Sequence, residues 1–173
     1  MSVDKQESDT ASMVPSSIDM ASIIAQLEED GVAFSYEHEG NAALNAKLVE
    51  VVDMAEGEGY ENPGIIVLGA KQPGPGDERD IAQAAADATD SSLMMVRTPG
   101  SAAVVSSEHA RADIESVQYS LATTTDYVLG AREVVEELPG SSVGAVPLVV
   151  GTLALVAVAT AFSARWSAKL HCK

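Results

Sequence analysis

An uncharged apolar run near the C-terminus constrains this chain more than any other feature. No Asp, Glu, Lys or Arg occurs over 138–164, and the densest apolar part, 143–164, is 22 residues long. A helix of that length, rising about 1.5 Å per residue, spans roughly 33 Å, which is enough to cross a hydrocarbon core of about 30 Å. Trp166 follows, as an interfacial anchor would. We therefore predict one transmembrane helix over 143–164; the alternative is a buried core helix of a soluble protein.

The charges on the two sides of this run differ in sign. All 26 Asp and Glu residues lie at or before Glu137, and 1–137 carries a formal charge of −19. The segment 165–173 contains three basic residues and no acidic residue. Because basic residues beside a membrane helix stay in the cytoplasm, we predict a single-pass protein of the cell membrane with a cytoplasmic tail and an extracytoplasmic N-terminal domain.

The N-terminus does not resemble an export signal. Residues 1–16 are acidic, Ser-rich and without an apolar core, so they are not a signal peptide, and we expect a disordered leader. A cytoplasmic domain held by a tail anchor therefore remains the alternative topology. The predicted organisation is a leader over 1–16, a domain over 17–137, a linker over 138–142, the membrane helix and the basic tail 165–173.

The composition excludes several classes of partner. A strongly negative domain repels nucleic acid, and aromatic residues make up only 4% of the chain, too few for base-stacking platforms. The single cysteine, Cys172, rules out an intramolecular disulfide.

Apolar periodicity over 17–137 indicates alternating helices and strands. Four consecutive apolar residues, Ile65–Leu68, stand between glycines and predict a strand buried on both faces. A helix with inner residues Ile81, Ala84, Ala85 and Ala88 and a second buried strand over 92–96 follow. The other expected elements are a helix that begins at Ser17-Ile18-Asp19 with N-cap chemistry, a helix that begins at an Asn41 cap, helices over 107–122 and 125–137, an extended piece over 32–36 and an edge strand over 102–105.

These elements predict an α/β fold, a small sandwich with a βαβ core over 64–97. We expect its crossover to be right-handed. Lys71 and Arg97 stand just past the ends of the two buried strands, and in open α/β sheets that edge is where ligands bind. We predict Lys71 and the loop Arg97-Thr98-Pro99 as partner-binding residues; ordinary solvated side chains are the alternative.

No catalytic or metal-binding set is evident, and we predict no cofactor. His38 and His109 lie far apart on polar stretches and are interpreted as exposed surface residues rather than a metal pair. Asp77, Glu78 and Asp80 open a helix after a glycine-rich loop. They could bind Ca²⁺ or support weak metal-assisted phosphatase chemistry, but helix capping by Asp77 is the preferred interpretation.

Two stretches resemble a known family. GIIVLGAKQPGPGDERDIAQAAADATDSSLMMVRTPGSAAVVS (64–106) resembles the core of the TPM-like domain of a small actinobacterial family of single-pass membrane proteins. ARADIESVQYSL (110–121) resembles the helix that follows in that family, and the C-terminal position of the membrane helix also matches.

The resemblance implies a TPM-like fold and a non-enzymatic role in cell separation. The extracytoplasmic domain would contact the helical coiled-coil segment of an NlpC-type peptidoglycan endopeptidase and relieve its autoinhibition. Some distant TPM domains act as phosphatases or bind Ca²⁺ through an acidic loop. In this chain 71–76 contains no carboxylate, so the resemblance favours the regulator over those activities.

Overall fold

Five helices and a four-stranded sheet make up the computed structural model over residues 14–138, the part of the chain that the structure describes. The order along the chain follows the predicted alternation of elements. The bounds are α1 Met20–Asp30, β1 Val32–Phe34, α2 Asn41–Gly57, β2 Gly64–Val67, α3 Asp77–Thr89, β3 Leu93–Thr98, β4 Ser101–Ser106, α4 Arg111–Thr123 and α5 Tyr127–Glu137. The predicted α/β class is confirmed.

The sheet has the strand order β1-β2-β3-β4. The first three strands are parallel neighbours, and β4 pairs antiparallel with β3 through the two-residue turn Pro99-Gly100. Gly100 adopts a φ of 82°, which a residue without a Cβ reaches at little cost. The prediction of an edge strand at 102–105 is therefore confirmed, and the extended piece at 32–36 is the opposite edge strand.

Alternating strand residues supply two apolar cores. One set faces α2, α4 and α5 and forms the larger core, and the other set faces α1 and α3 and forms the smaller core. The larger core includes Val32, Leu48, Ile65, Val67, Leu93, Met95, Val104, Val117, Leu121 and Val134; the smaller includes Ile23, Leu27, Ile66, Leu68, Ile81, Ala85, Met94 and Val96. Burial on both faces explains why the two central strands read as continuous apolar runs.

The two connections between parallel strands have opposite hands. The strands advance in one direction, from β1 to β2 to β3, but α2 lies in the larger core and α3 in the smaller core on the other face. Helices on opposite faces of strands that advance the same way give crossovers of opposite hand. The two crossovers therefore cannot both be right-handed, which is unusual for βαβ units, and the hand expected for the crossover over 64–97 stays a prediction.

Helix starts differ from the predictions at four places: α4 begins at Arg111 instead of near 107, α5 begins at Tyr127 instead of near 125, and the caps of α2 and α3 lie one residue earlier than expected. Asp19 caps α1 as expected, because its Oδ1 accepts from the Ser22 N–H at 3.1 Å. The N-cap positions of α2 and α3 are glycines, Gly40 and Gly76, and neither Asn41 nor Asp77 caps its helix. Asn41 instead donates from Nδ2 to the Tyr36 carbonyl at 2.7 Å.

The ends of the described region carry contacts with both cores. Val14 packs against the smaller core, and Leu138, 2% exposed, belongs to the larger core. Across 14–138 no helix has the length and apolar character needed to cross a membrane. The transmembrane helix predicted over 143–164 lies outside the described residues.

Replacement of Gly31 by alanine should destabilise the domain. Gly31 ends α1 at a φ of 77°, and a Cβ there would lie 2.7 Å from Val52 Cγ1. We expect a loss of about 1–3 kcal/mol in unfolding free energy in urea, followed by circular dichroism on the purified full-length chain. Gly57→Ala is the matched control, because a Cβ at Gly57 meets nothing within 4 Å. Equal stability of the two variants would contradict the prediction.

Candidate partner-binding site

Arg97 lies in the interior instead of at the surface. It is the fifth residue of β3 and is 4% exposed, while its neighbour Thr98 is fully buried at 0%. The sequence places Arg97 at the end of an apolar run, but the strand continues to Thr98 and keeps the side chain under α4 and α5. The prediction that Arg97 and Thr98 face solvent is therefore wrong; any contact with a partner through them would be indirect.

The Arg97 guanidinium holds the α4–α5 hairpin to the sheet. Its Nη1 donates to the carbonyls of Ser101 (3.1 Å) and Ala122 (2.8 Å), and its Nη2 donates to the carbonyl of Thr124 (2.7 Å). Two of these acceptors end α4, where the helix dipole favours positive charge. The guanidinium also stacks on Tyr127 of α5, 4.8 Å from the ring centre.

No carboxylate within the described residues pairs with this buried cation. Across 14–138 the one ion pair joins Arg111 and Glu115. The Arg97 Nε is buried and makes no hydrogen bond with the described residues. Carbonyl oxygens, a helix terminus and an aromatic ring therefore compensate the charge, and removal of the side chain would leave those carbonyls unpaired.

The other two predicted residues, Lys71 and Pro99, are exposed. Pro99 occupies the β3–β4 turn, with Thr98 Oγ1 donating across that turn to the Ser101 carbonyl at 3.2 Å. Lys71 follows β2 and lines a cleft of about 570 Å³ at the carboxyl ends of β1 and β2. We call this cleft the edge cleft. It lies at the carboxyl ends of parallel strands, where open α/β sheets usually bind their ligands.

Tyr36 forms one wall of the edge cleft. Its ring meets Phe34 edge to face, with centroids 6.2 Å apart, and lies over Gly69 so closely that a Cβ there would be 3.0 Å from Tyr36 Cδ1. Burial, and after it the nearby Tyr127, raises the pKa of Tyr36 above its ordinary value of 10.0. At neutral pH the cleft is therefore lined by a neutral, 37% exposed phenol and by Lys71.

Two aromatic contacts thus lie at the carboxyl edge of the sheet: Phe34 meets Tyr36 at the end of β1, and Tyr127 stacks on Arg97 near the end of β3. The sequence prediction missed Tyr36 and Tyr127. The rule that carboxyl ends of parallel strands converge would have included Tyr36, which follows β1 directly. Nothing in the sequence pattern indicates that Tyr127, in the last helix, returns to this edge.

The acidic residues of α3 hold a loop. Asp77 Oδ2 accepts from the Gly74 N–H at 2.8 Å, and Glu78, 6% exposed, accepts from the Gln72 N–H at 3.3 Å. Within 14–138 no group of three or more His, Cys, Asp or Glu side chains is placed to hold a metal ion. The carboxylates of Asp77 and Glu78 therefore shape the loop that carries Lys71.

The two central histidines differ in their surroundings. His38 is exposed, as expected, and its Nδ1 accepts from the Gly40 N–H at 3.0 Å. His109 is half-buried, contrary to the prediction, and its Nε2 lies 2.7 Å from the Tyr60 hydroxyl. Burial, followed by Glu108 and Glu58, raises the pKa of Tyr60. His38 follows β1 and His109 follows the antiparallel β4, so they stand at opposite edges of the sheet.

Comparison with known proteins identifies the family. The family model described as membrane protein Rv1476 matches residues 13–171. The chain belongs to this family. The match covers the folded domain and the apolar run, so the predicted membership in a family of membrane proteins is confirmed. No curated protein and no solved structure matches the chain. The TPM-like character, the single span and its orientation stay predictions for this Rv1476-family protein.

Loss of the Arg97 cation should destabilise the domain and loosen the α4–α5 hairpin. We expect Arg97→Met to lower the unfolding free energy by about 2–4 kcal/mol, because buried carbonyls lose their donors. Arg97→Lys should recover part of this loss, since an ammonium cannot reproduce the guanidinium fork. Urea unfolding and hydrogen exchange of the full-length chain would measure both effects.

The control is Arg79→Met, which removes an exposed arginine of α3 and should change stability by less than about 0.5 kcal/mol. Arg97→Met with the same stability as this control would show that the guanidinium does not hold the hairpin.

Proposed function

We propose that this Rv1476-family protein is a membrane-anchored, non-enzymatic regulator that binds and activates an NlpC-type peptidoglycan hydrolase in cell separation. The observation that carries the proposal is the edge cleft, which exposed Tyr36 and Lys71 both line at the carboxyl edge of the sheet in a member of a membrane protein family. The resemblance of 64–106 and 110–121 to the TPM-like domain supplies the identity of the partner.

The chemistry of the edge cleft suits a protein partner. Tyrosine provides a large contact with two rotatable angles, and such residues are frequent hot spots of interfaces. Lys71 offers a positive charge in a domain that is otherwise strongly acidic, so it would select a carboxylate on the partner's helical segment. The surrounding negative field would keep less basic surfaces of the partner away.

Activation by binding is a shift of equilibrium. The domain must bind the released conformation of the hydrolase more tightly than the autoinhibited one, and the ratio of the two affinities sets the degree of activation. The predicted membrane anchor of this chain would raise the effective concentration of the domain near the cell wall. Weak binding through one small cleft would then be sufficient.

The role of Lys71 can be tested by charge reversal. Lys71→Glu should weaken binding to the coiled-coil segment of an NlpC-type endopeptidase roughly fivefold and reduce its activation in a peptidoglycan release assay, because the rim charge becomes repulsive. Lys47→Glu on α2 makes the same change at an exposed lysine that does not line the cleft.

Equal binding by these two variants would remove the edge cleft from the interface. Absence of binding by the wild-type chain would overturn the proposed function itself. Arg97→Glu is unsuitable for this test, because a buried carboxylate facing three carbonyl oxygens would destabilise the fold.

The proposed orientation can be tested with Cys172, the single cysteine of the chain. With the basic tail in the cytoplasm, a membrane-impermeant maleimide should label Cys172 only after cells are permeabilised. Neutral hydroxylamine treatment beforehand would release a lipid linked as a thioester, as its hydroxamate, and expose the Cys172 thiol. Labelling in intact cells would place the domain in the cytoplasm and favour a tail-anchored adaptor over contact with the cell wall.

A further inference from the structure

The first edge strand directs part of its backbone away from the sheet. Towards β2, the Ser35 N–H donates to the Val67 carbonyl at 3.1 Å, and the Gly31 carbonyl accepts from the Ile65 N–H at 2.9 Å. In a strand, alternate residues point their backbone groups to opposite sides. The N–H and C=O groups of Val32 and Phe34 therefore point outward along the free edge of β1.

Side chains of α1 occupy these outward groups in the manner of a neighbouring strand. The amide of Gln26 makes both bonds of a strand partner, because its Oε1 accepts from the Phe34 N–H at 3.0 Å and its Nε2 donates to the Phe34 carbonyl at 3.2 Å. Asp30 Oδ1 accepts from the Val32 N–H at 3.1 Å. The Gln26 amide therefore pairs with Phe34 as one peptide group of a neighbouring strand would.

An open groove of about 720 Å³ runs along this edge between α1 and α2. Glu29, Asp30 and Glu37 line it, and no Lys or Arg is among the described residues that do so. Tyr36 forms its end and is shared with the edge cleft. The groove therefore combines an acidic wall with a row of backbone groups that a peptide strand could pair with.

We infer that this groove binds an extended peptide segment carrying Lys or Arg side chains, which adds a strand to β1 and displaces Gln26. Backbone pairing to a sheet edge is a common mode of peptide recognition, and the acidic lining supplies the charge preference. The exchange conserves hydrogen bonds, because peptide groups replace the Gln26 amide while that side chain regains its rotamer freedom. A second copy of this acidic chain is disfavoured by charge.

The test uses the purified full-length chain in non-ionic detergent micelles and a fluorescent, blocked pentapeptide, acetyl-Lys-Val-Thr-Val-Lys-amide, with empty micelles as the blank. We expect saturable binding with slowed hydrogen exchange at Val32 and Phe34. A peptide N-methylated at all five residues should bind at least about tenfold more weakly, since none of its residues can then donate a backbone N–H to the edge in either register. A peptide with Glu in place of Lys should bind at least as weakly.

Gln26→Ala should bind the pentapeptide roughly threefold more tightly, because the competing amide is gone. Gln83→Ala is the matched control: Gln83 is an exposed glutamine of α3 whose side chain, among residues 14–138, donates to Asp87 Oδ1 at 2.8 Å and makes no bond to β1. Lys71→Glu changes the edge cleft and leaves the backbone groups of β1 intact. Hydrolase binding by this variant tests the proposed function, and pentapeptide binding tests the groove, so the two proposals can fail separately.

Three results would overturn the inference. The first is absence of saturable peptide binding. Gln26 would then serve only to protect the β1 edge from pairing with other strands. The second is equal binding of the parent and N-methylated peptides. The third is concentration-dependent protection of Val32 and Phe34 without peptide, which would make a second copy of the chain the occupant of the groove.

Discussion

The fold depends on one buried cation. Arg97 binds the last carbonyls of α4, the turn after β3 and the ring of Tyr127, so a single side chain joins the sheet to both helices of the C-terminal hairpin. Glu133 extends this network, because its Oε2 accepts from Ser120 Oγ at 2.6 Å and from Thr124 Oγ1 at 3.4 Å. The helix that precedes the predicted membrane segment is thereby fixed to the carboxyl edge of the sheet.

Both edges of the sheet are closed by glutamine side chains, but not equally. Gln26 makes two well-formed bonds to the outward groups of β1, while on β4 the Val104 N–H donates to Gln118 Oε1 at the longer distance of 3.4 Å. Such caps prevent uncontrolled pairing between sheets. They differ in what surrounds them, since an open groove of about 720 Å³ accompanies β1. The Gln26 side chain therefore protects the β1 edge from pairing, and the open groove beside it leaves room for a peptide strand to replace that side chain.

Local patterns predicted the elements well, and long-range contacts explain most errors. The four apolar residues Ile65–Leu68 and the Asp19 cap gave correct elements, because strand burial and capping are decided by near neighbours. The inner face of α3 was partly wrong: Ala82 and Ala86 are buried in place of Ala84 and Ala88. Alanine on every side of a helix gives no periodic signal, so only the tertiary packing selects the face.

In the candidate site, too, local sequence predicts one residue correctly, and tertiary contacts decide the position of another. Lys71 could be located from sequence, because a loop after a buried parallel strand must lie at the carboxyl edge. Arg97 occupies a similar sequence position but became internal, because α4 and α5 return over β3 and bring carbonyls that no local pattern indicates. A lysine at an exposed loop and an arginine under a helix hairpin therefore play different parts: Lys71 lines the edge cleft, and Arg97 holds the α4–α5 hairpin to the sheet.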